Sequence, residues 1–145
     1  AGPYNPKVLR SIDSQLKKSK WFDYNPAADT SNKYTRMSDC KNYINYYENY
    51  FDEVQRSTID KLLHLFKTVK TIQCEIVATL YGAWNDFLLE GVTPSDNQII
   101  DEVLSNWHEK KERISRERWQ GALNWMRENA IIPSGYGEST KGGAS

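Results

Sequence analysis

Arg116, Gln120, Asn124 and Arg127 fall in "SRERWQGALNWMRENAIIPSGYG", residues 115 to 137. Helical spacing sets these four on the outward side, with Trp119, Ala122, Leu123 and Met126 facing inward. Arginine pairs with guanine edges, and glutamine or asparagine with adenine edges, so an exposed row of this kind can read bases. Lys110, Lys111 and Arg113 lie just before the row and are suited to phosphates, as are Arg116, Arg118 and Arg127. The expected DNA-binding set is therefore Lys110, Lys111, Arg113, Arg116, Gln120, Asn124 and Arg127. Glu109, Glu112, Glu117 and Glu128 interleave with these cations and cancel their charge. Pairs such as Glu112–Arg116 at i,i+4 would make the same row an ordinary solvated face. Both readings stand on the sequence alone.

Other chemistries find less material. Cys40, Cys74, His64 and His108 are scattered, without CxxC, HExxH or a histidine pair at helical spacing, so no metal site is expected. There is no G-x-S-x-G elbow and no P-loop pattern, which removes the usual routes to acyl transfer and ATP hydrolysis. Asp96 followed by Glu109-Lys110-Lys111 imitates the acidic residue plus E-x-K of metal-dependent nucleases. Such sites sit on adjacent strands, whereas these residues fall in a helix cap and a charged connector, and the match is read as coincidence. No catalytic residue and no cofactor is expected. Asn85 and Asp86, inside the apolar "YGAWNDFLLEG", are read as pointing outward; the alternative is a polar contact to a partner or ligand. Tyr43, Tyr46, Tyr47 and Tyr50 form a helical face that either stacks on a ligand or packs on a core rim with hydroxyls in water.

Positioning these residues takes helices. Pro6 suits a first helical turn, followed by Val8, Leu9, Ile12 and Leu16 on one face and Lys17, Lys18 and Lys20 at the end. "WFDYNPAADTSN", residues 21 to 32, reads as a loop anchored by Trp21 and Phe22. Ser38 then caps a long helical region to about Lys70, bent or split at "QRST", 55 to 58. The most apolar helix spans about 75–90, stopped by Gly91. Ser95 and Gln98 form an S-x-x-Q capping box for a helix over 95–107, and Ser115 caps the last, over 115–129. These three helices, followed by a short extended piece and Gly-Tyr-Gly, match the element order of a winged-helix unit. The expected fold is all-α, with at most a small β-wing near the C-terminus. The expected divisions are a short helix and loop over 1–37, a helical core over 38–137 and a flexible tail over 138–145.

The chain has 145 residues, enough for one domain with a true core. Five tryptophans, nine tyrosines and four phenylalanines are too many aromatics for a disordered chain, despite a mean hydropathy of −0.74. Its 19 basic and 19 acidic residues cancel, so a dedicated polyanion binder is excluded and any nucleic-acid contact must be local. Two cysteines are too few for a disulfide framework; they read as buried thiols in helix interiors, which places the protein in the cytoplasm. No apolar run approaches a membrane span and no signal-peptide pattern opens the chain. The start "AGPYNP", without methionine, points to a fragment or a tag remnant.

"EIVATLYGAWNDFLLEG" together with "WHEKKERISRERWQGALNWMRENAIIPSGYG" resembles the C-terminal helical segment of bacterial restriction–modification polypeptides, over residues 71 to 137. Type I restriction systems combine a motor and nuclease subunit with methylation and specificity subunits. The resemblance implies a non-catalytic accessory domain that docks partner protein subunits or guides duplex DNA. The motor and nuclease motifs of that family are absent from this chain, so no catalytic role is carried over. A helical module that binds protein only, never nucleic acid, is the alternative.

Overall fold

The computed structural model describes residues 6–26, 32–38, 40, 43–107 and 114–142. The described residues fall into two compact units, divided between Lys67 and Thr68. The described residues are mainly helical, with one two-stranded sheet among them.

The unit up to Lys67 contains α1 (Pro6–Lys18), β1 (Phe22–Pro26), β2 (Asn32–Arg36), α2 (Tyr43–Tyr50) and α3 (Glu53–Phe66). The strands pair antiparallel with Phe22 opposite Arg36 and Tyr24 opposite Tyr34. The expected loop after α1 is thus half strand, and the small sheet lies here instead of near the C-terminus. The run FDYNP offers no strong alternation, so the pairing signal is cross-strand and invisible to a local pattern. Met37 extends the ladder by donating its N–H to the Trp21 carbonyl at 2.9 Å. Cys40 is buried but lies outside any helix, while Cys74, in a helix as expected, is only half-buried.

The long helix expected through residue 70 is two helices, and the break falls at Phe51–Asp52, before "QRST". The cause is a capping box. The Asp52 carboxylate accepts the Gln55 N–H at 2.8 Å, and the Gln55 side chain accepts the Asp52 N–H at 3.0 Å. Arg56 fastens the corner by donating to the carbonyls of Glu48 and Phe51. Neither α2 nor α3 buries a residue.

The unit from Thr68 onward holds α4 (Thr71–Leu89), α5 (Asp96–Asn106), α6 (Arg116–Glu128) and a 3-10 turn at Thr140–Gly142. Each helix packs on the other two, and the 3-10 turn packs on α4. Leu80, Ile99, Ile100, Val103, Trp119, Leu123 and Met126 are completely buried between them. The inward stripe expected on α6 is therefore the stripe the core uses. Among the described residues no strand follows α6, so no β-wing stands there. No helix among the described residues is long and apolar enough to cross a membrane.

The ends of α4 and α6 solve the same problem with different residues. After α4, Gly91 takes φ +76°, and Val92 donates back to the Phe87 carbonyl at 2.8 Å. After α6, Ala130 takes φ +52°, and Ile131 donates to the Met126 carbonyl at 2.7 Å. Both close a Schellman-type end, but alanine does so against its own Cβ.

Candidate functional site

The polar row on α6 is brought together by the fold, and Arg116, Gln120 and Arg127 reach α5. Ser115 caps α6, accepting the Arg118 N–H at 3.4 Å, and so fixes where the row begins. Arg116 donates to Asp101 at 2.6 Å and to Asn97 at 3.0 Å, both on α5. Gln120 donates to the Asp96 carboxylate and to the Asn124 side-chain oxygen, the latter at 3.2 Å. Arg127 grips the same Asp96 carboxylate through both terminal nitrogens. Its guanidinium also lies over the Trp84 ring on α4, 5.2 Å from the centroid. Asp96 is the hub: it opens α5 and joins that helix's first turn to α6.

The electrostatics follow from this arrangement. The hydrogen bonds from Arg127 hold the Asp96 carboxyl below the usual carboxylate range, with Gln120 adding to the effect and partial burial opposing it. Side-chain exposure of 39% for Arg127 and 28% for Asp96 keeps water close, so the pair is worth about 1 kcal/mol or less. Glu117, in the first turn of α6, is also held low, by its own backbone N–H and then by the Ser115 hydroxyl.

Of the seven residues expected to bind DNA, Gln120, Asn124 and Arg127 thus belong to one intramolecular network on Asp96, and Arg116 is held separately by Asp101 and Asn97. Lys110, Lys111 and Arg113 lie outside the described residues. Arg118, on α6, is exposed. The Asp96 partner of the E-x-K pattern is engaged by Arg127 and Gln120, and Glu109 to Lys111 again lie outside the described residues. Among the described residues no group of three His, Cys, Asp or Glu side chains is placed to hold a metal ion.

A second polar cluster corrects the outward reading of Asn85 and Asp86. Both are buried, Asp86 to 1% exposure. Asn85 copies a backbone partner: its amide donates to the Tyr136 carbonyl at 3.0 Å, while its oxygen accepts the N–H groups of Gly135 and Tyr136. Gly135 has φ +71° and rests so close to α4 that a Cβ would meet that of Leu88 at 3.1 Å. Asp86 accepts the Thr140 N–H at 2.9 Å and the Thr140 hydroxyl. Lys141 completes the strap with an ion pair to Glu90 at 2.9 Å, which holds its ammonium protonated above the usual range. Thr140 and Lys141, in the stretch expected to be a flexible tail, are bonded to α4 through these contacts. The polar pair inside an otherwise apolar helix was the available signal; its partners, fifty residues away, were not legible.

Trp119 is completely buried, and its indole N–H is the only buried side-chain polar atom among the described residues without a partner. The tyrosine face of α2 stands mostly in water, with Tyr50 82% exposed. Tyr47 alone turns inward, donating to the Arg56 carbonyl at 3.0 Å and to Asp60 at 2.8 Å. Compared with protein-family models, curated proteins and solved structures, the chain matches none.

Proposed function

We propose that the chain is a non-catalytic helical accessory module of a DNA-processing assembly of the restriction–modification kind. In this reading it docks on a partner subunit and adds weak contacts to duplex DNA that are indifferent to sequence. The observation that carries the second half is the Asp96–Gln120–Arg127 network. Base readout needs Gln120 and Arg127 free to bond base edges, and both are committed to a carboxylate on α5. DNA contact then falls to Lys110, Lys111, Arg113 and Arg118, which meet phosphates by charge alone. The docking half is supported by the extent of the resemblance: residues 71 to 137 lie within one compact unit, as a transferable module requires. Two free cysteines accord with a cytoplasmic setting.

Titration of labelled duplex at graded salt tests this. Wild type is expected to bind at roughly 10⁻⁴–10⁻⁶ M with a steep salt slope. Alanine at Lys110, Lys111, Arg113 and Arg118 together flattens the slope, while Gln120→Ala leaves sequence preference unchanged. A changed preference in Gln120→Ala would restore the base-reading role. Absence of binding by wild type at low salt would remove DNA and leave a module that binds protein only. The exposed apolar side chains of α3 favour that second reading.

A further inference from the structure

Three tyrosines of α2 stand in water on one face. Tyr43, Tyr46 and Tyr50 follow one another at i, i+3 and i+7 and are 42%, 64% and 82% exposed. Their steps along the helix axis are about 4.5 and 6 Å. Tyr47 shares the face but is drawn aside by its bonds to the Arg56 carbonyl and Asp60. Glu48, the only acid of α2, lies on the opposite side of the helix. Two contacts order the face from the side of the small sheet. The Trp21 ring lies 5.5 Å from that of Tyr46, and the Arg36 guanidinium lies 4.9 Å from the centre of the Tyr43 ring. Trp21 directly follows the segment of Lys17, Lys18 and Lys20, so the lysine-rich end of α1 adjoins the face.

We infer that this face binds a single-stranded nucleic acid, with bases stacked on Tyr43, Tyr46 and Tyr50 and phosphates met by Arg36 and the lysines that end α1. The charge of this unit selects a polyanion. Residues 5–67 hold 11 Lys and Arg against 8 Asp and Glu, whereas residues 68–145 hold 8 against 11. Some of its acids are also engaged internally. Asp13 accepts from the Tyr34 hydroxyl, Asp52 from the Gln55 N–H and Asp60 from the Tyr47 hydroxyl. Lys17, Lys18 and Lys20 are exposed and, among the described residues, have no ion-pair partner. Cations are thus left over beside the rings. The rings in turn select an unpaired strand. A duplex keeps its bases stacked on one another, whereas a single strand lays each base on an aromatic side chain with little regard to sequence. A proline-rich peptide would use the rings but leave the lysines unanswered. These residues belong to the other unit from those assigned the duplex contacts, so the two activities are separable.

Fluorescence anisotropy of the full chain with labelled oligothymidylate of about 12 nucleotides, within the site size of such surfaces, is the test. Wild type is expected to bind it more tightly than an abasic strand of the same length, which keeps the phosphates and loses the bases. Tyr50→Ala, at the most exposed ring, keeps the helicity and weakens binding by about fivefold or more, and Tyr46→Ala does likewise. Tyr50→Phe retains the ring and binds as wild type does. Alanine at Lys17, Lys18 and Lys20 together lowers the salt slope by about two, as expected for three phosphate contacts. If Tyr46→Ala disturbs α2 by removing the contact with Trp21, Tyr50→Ala still decides. Alanine at Lys110, Lys111, Arg113 and Arg118 should reduce duplex binding while leaving the preference for bases over the abasic strand, so each reading fails by its own variant. No binding of oligothymidylate at low salt, equal binding of the abasic strand, or a Tyr50→Ala variant that binds as wild type would each overturn the inference. So would a proline-rich peptide held by these tyrosines in place of the strand.

Discussion

The two units spend similar sequence resources in opposite ways. From Thr68 onward, apolar stripes on three helices close on one another, and even polar residues are drawn into the packing. Asp96 ties α5 to α6, while Asn85 and Asp86 hold the C-terminal strap on α4. Up to Lys67, α2 and α3 are equally periodic, yet their order comes from local devices: a capping box, an arginine at a corner, a tyrosine hydroxyl. Amphipathic periodicity therefore predicts a helix in both units but a core in only one. A stripe becomes a core only when other stripes are held against it.

That contrast can be broken at its strongest point first. Leu123→Ala, in the closed core, should cost roughly 2–5 kcal/mol, against within about 0.5 kcal/mol for Leu63→Ala on α3. Denaturant midpoints compare the two, and equal losses would erase the distinction between the units. Native-state hydrogen exchange should agree, with the amides of α4 and α6 protected well beyond those of α2 and α3.

Next comes the strap. Asp86→Ala leaves the Thr140 N–H and hydroxyl without their acceptor and should cost about 1–3 kcal/mol, and Asn85→Ala a similar amount. Limited proteolysis should then cut between residues 131 and 142, where wild type resists. Persistence of the wild-type pattern would show that the strap is held by its apolar contacts alone.

Two smaller effects sharpen the picture. Ala130→Gly should stabilise by about 0.5–1 kcal/mol, because φ +52° costs an alanine what it does not cost a glycine. A loss of thermal stability would contradict the Schellman-type end assigned to α6. The Asp96 network should show itself in acid. Its folded carboxyl titrates lower than the ordinary value of 3.8, so its contribution is present above that value and fades as pH falls through the folded one. Arg127→Ala should reduce that acid-dependent component, and the loss at neutral pH should not exceed about 1 kcal/mol. An unchanged acid slope would mean that Asp96 is held by other groups.

Much of this was legible in the residues. Ser95 with Gln98 and Ser115 announced the starts of α5 and α6, and Gly91 the end of α4, because capping and left-handed turns act within a few residues. Trp119, Leu123 and Met126 declared the buried face of α6 by spacing alone. The pairing of Phe22–Pro26 with Asn32–Arg36 escaped, since it depends on a partner strand elsewhere in the chain and each five-residue run is weak by itself. The break at Asp52 escaped because the competing signal, "QRST", lay only three residues on.

For the candidate site, the chain determined which side chains share a helix face, and composition set the overall charge at zero. Only the tertiary structure decided what that face meets. Arg116, Gln120 and Arg127 are equally good ligands for a base, a phosphate or a carboxylate, and nothing in their own segment chooses among these. Packing chose, by bringing Asp96 and Asp101 on α5 within bonding distance. Asn85 and Asp86 followed the same rule, finding partners about fifty residues along the chain. Local geometry is written in neighbouring residues, whereas the partner of a long polar side chain depends on which helices the core sets side by side.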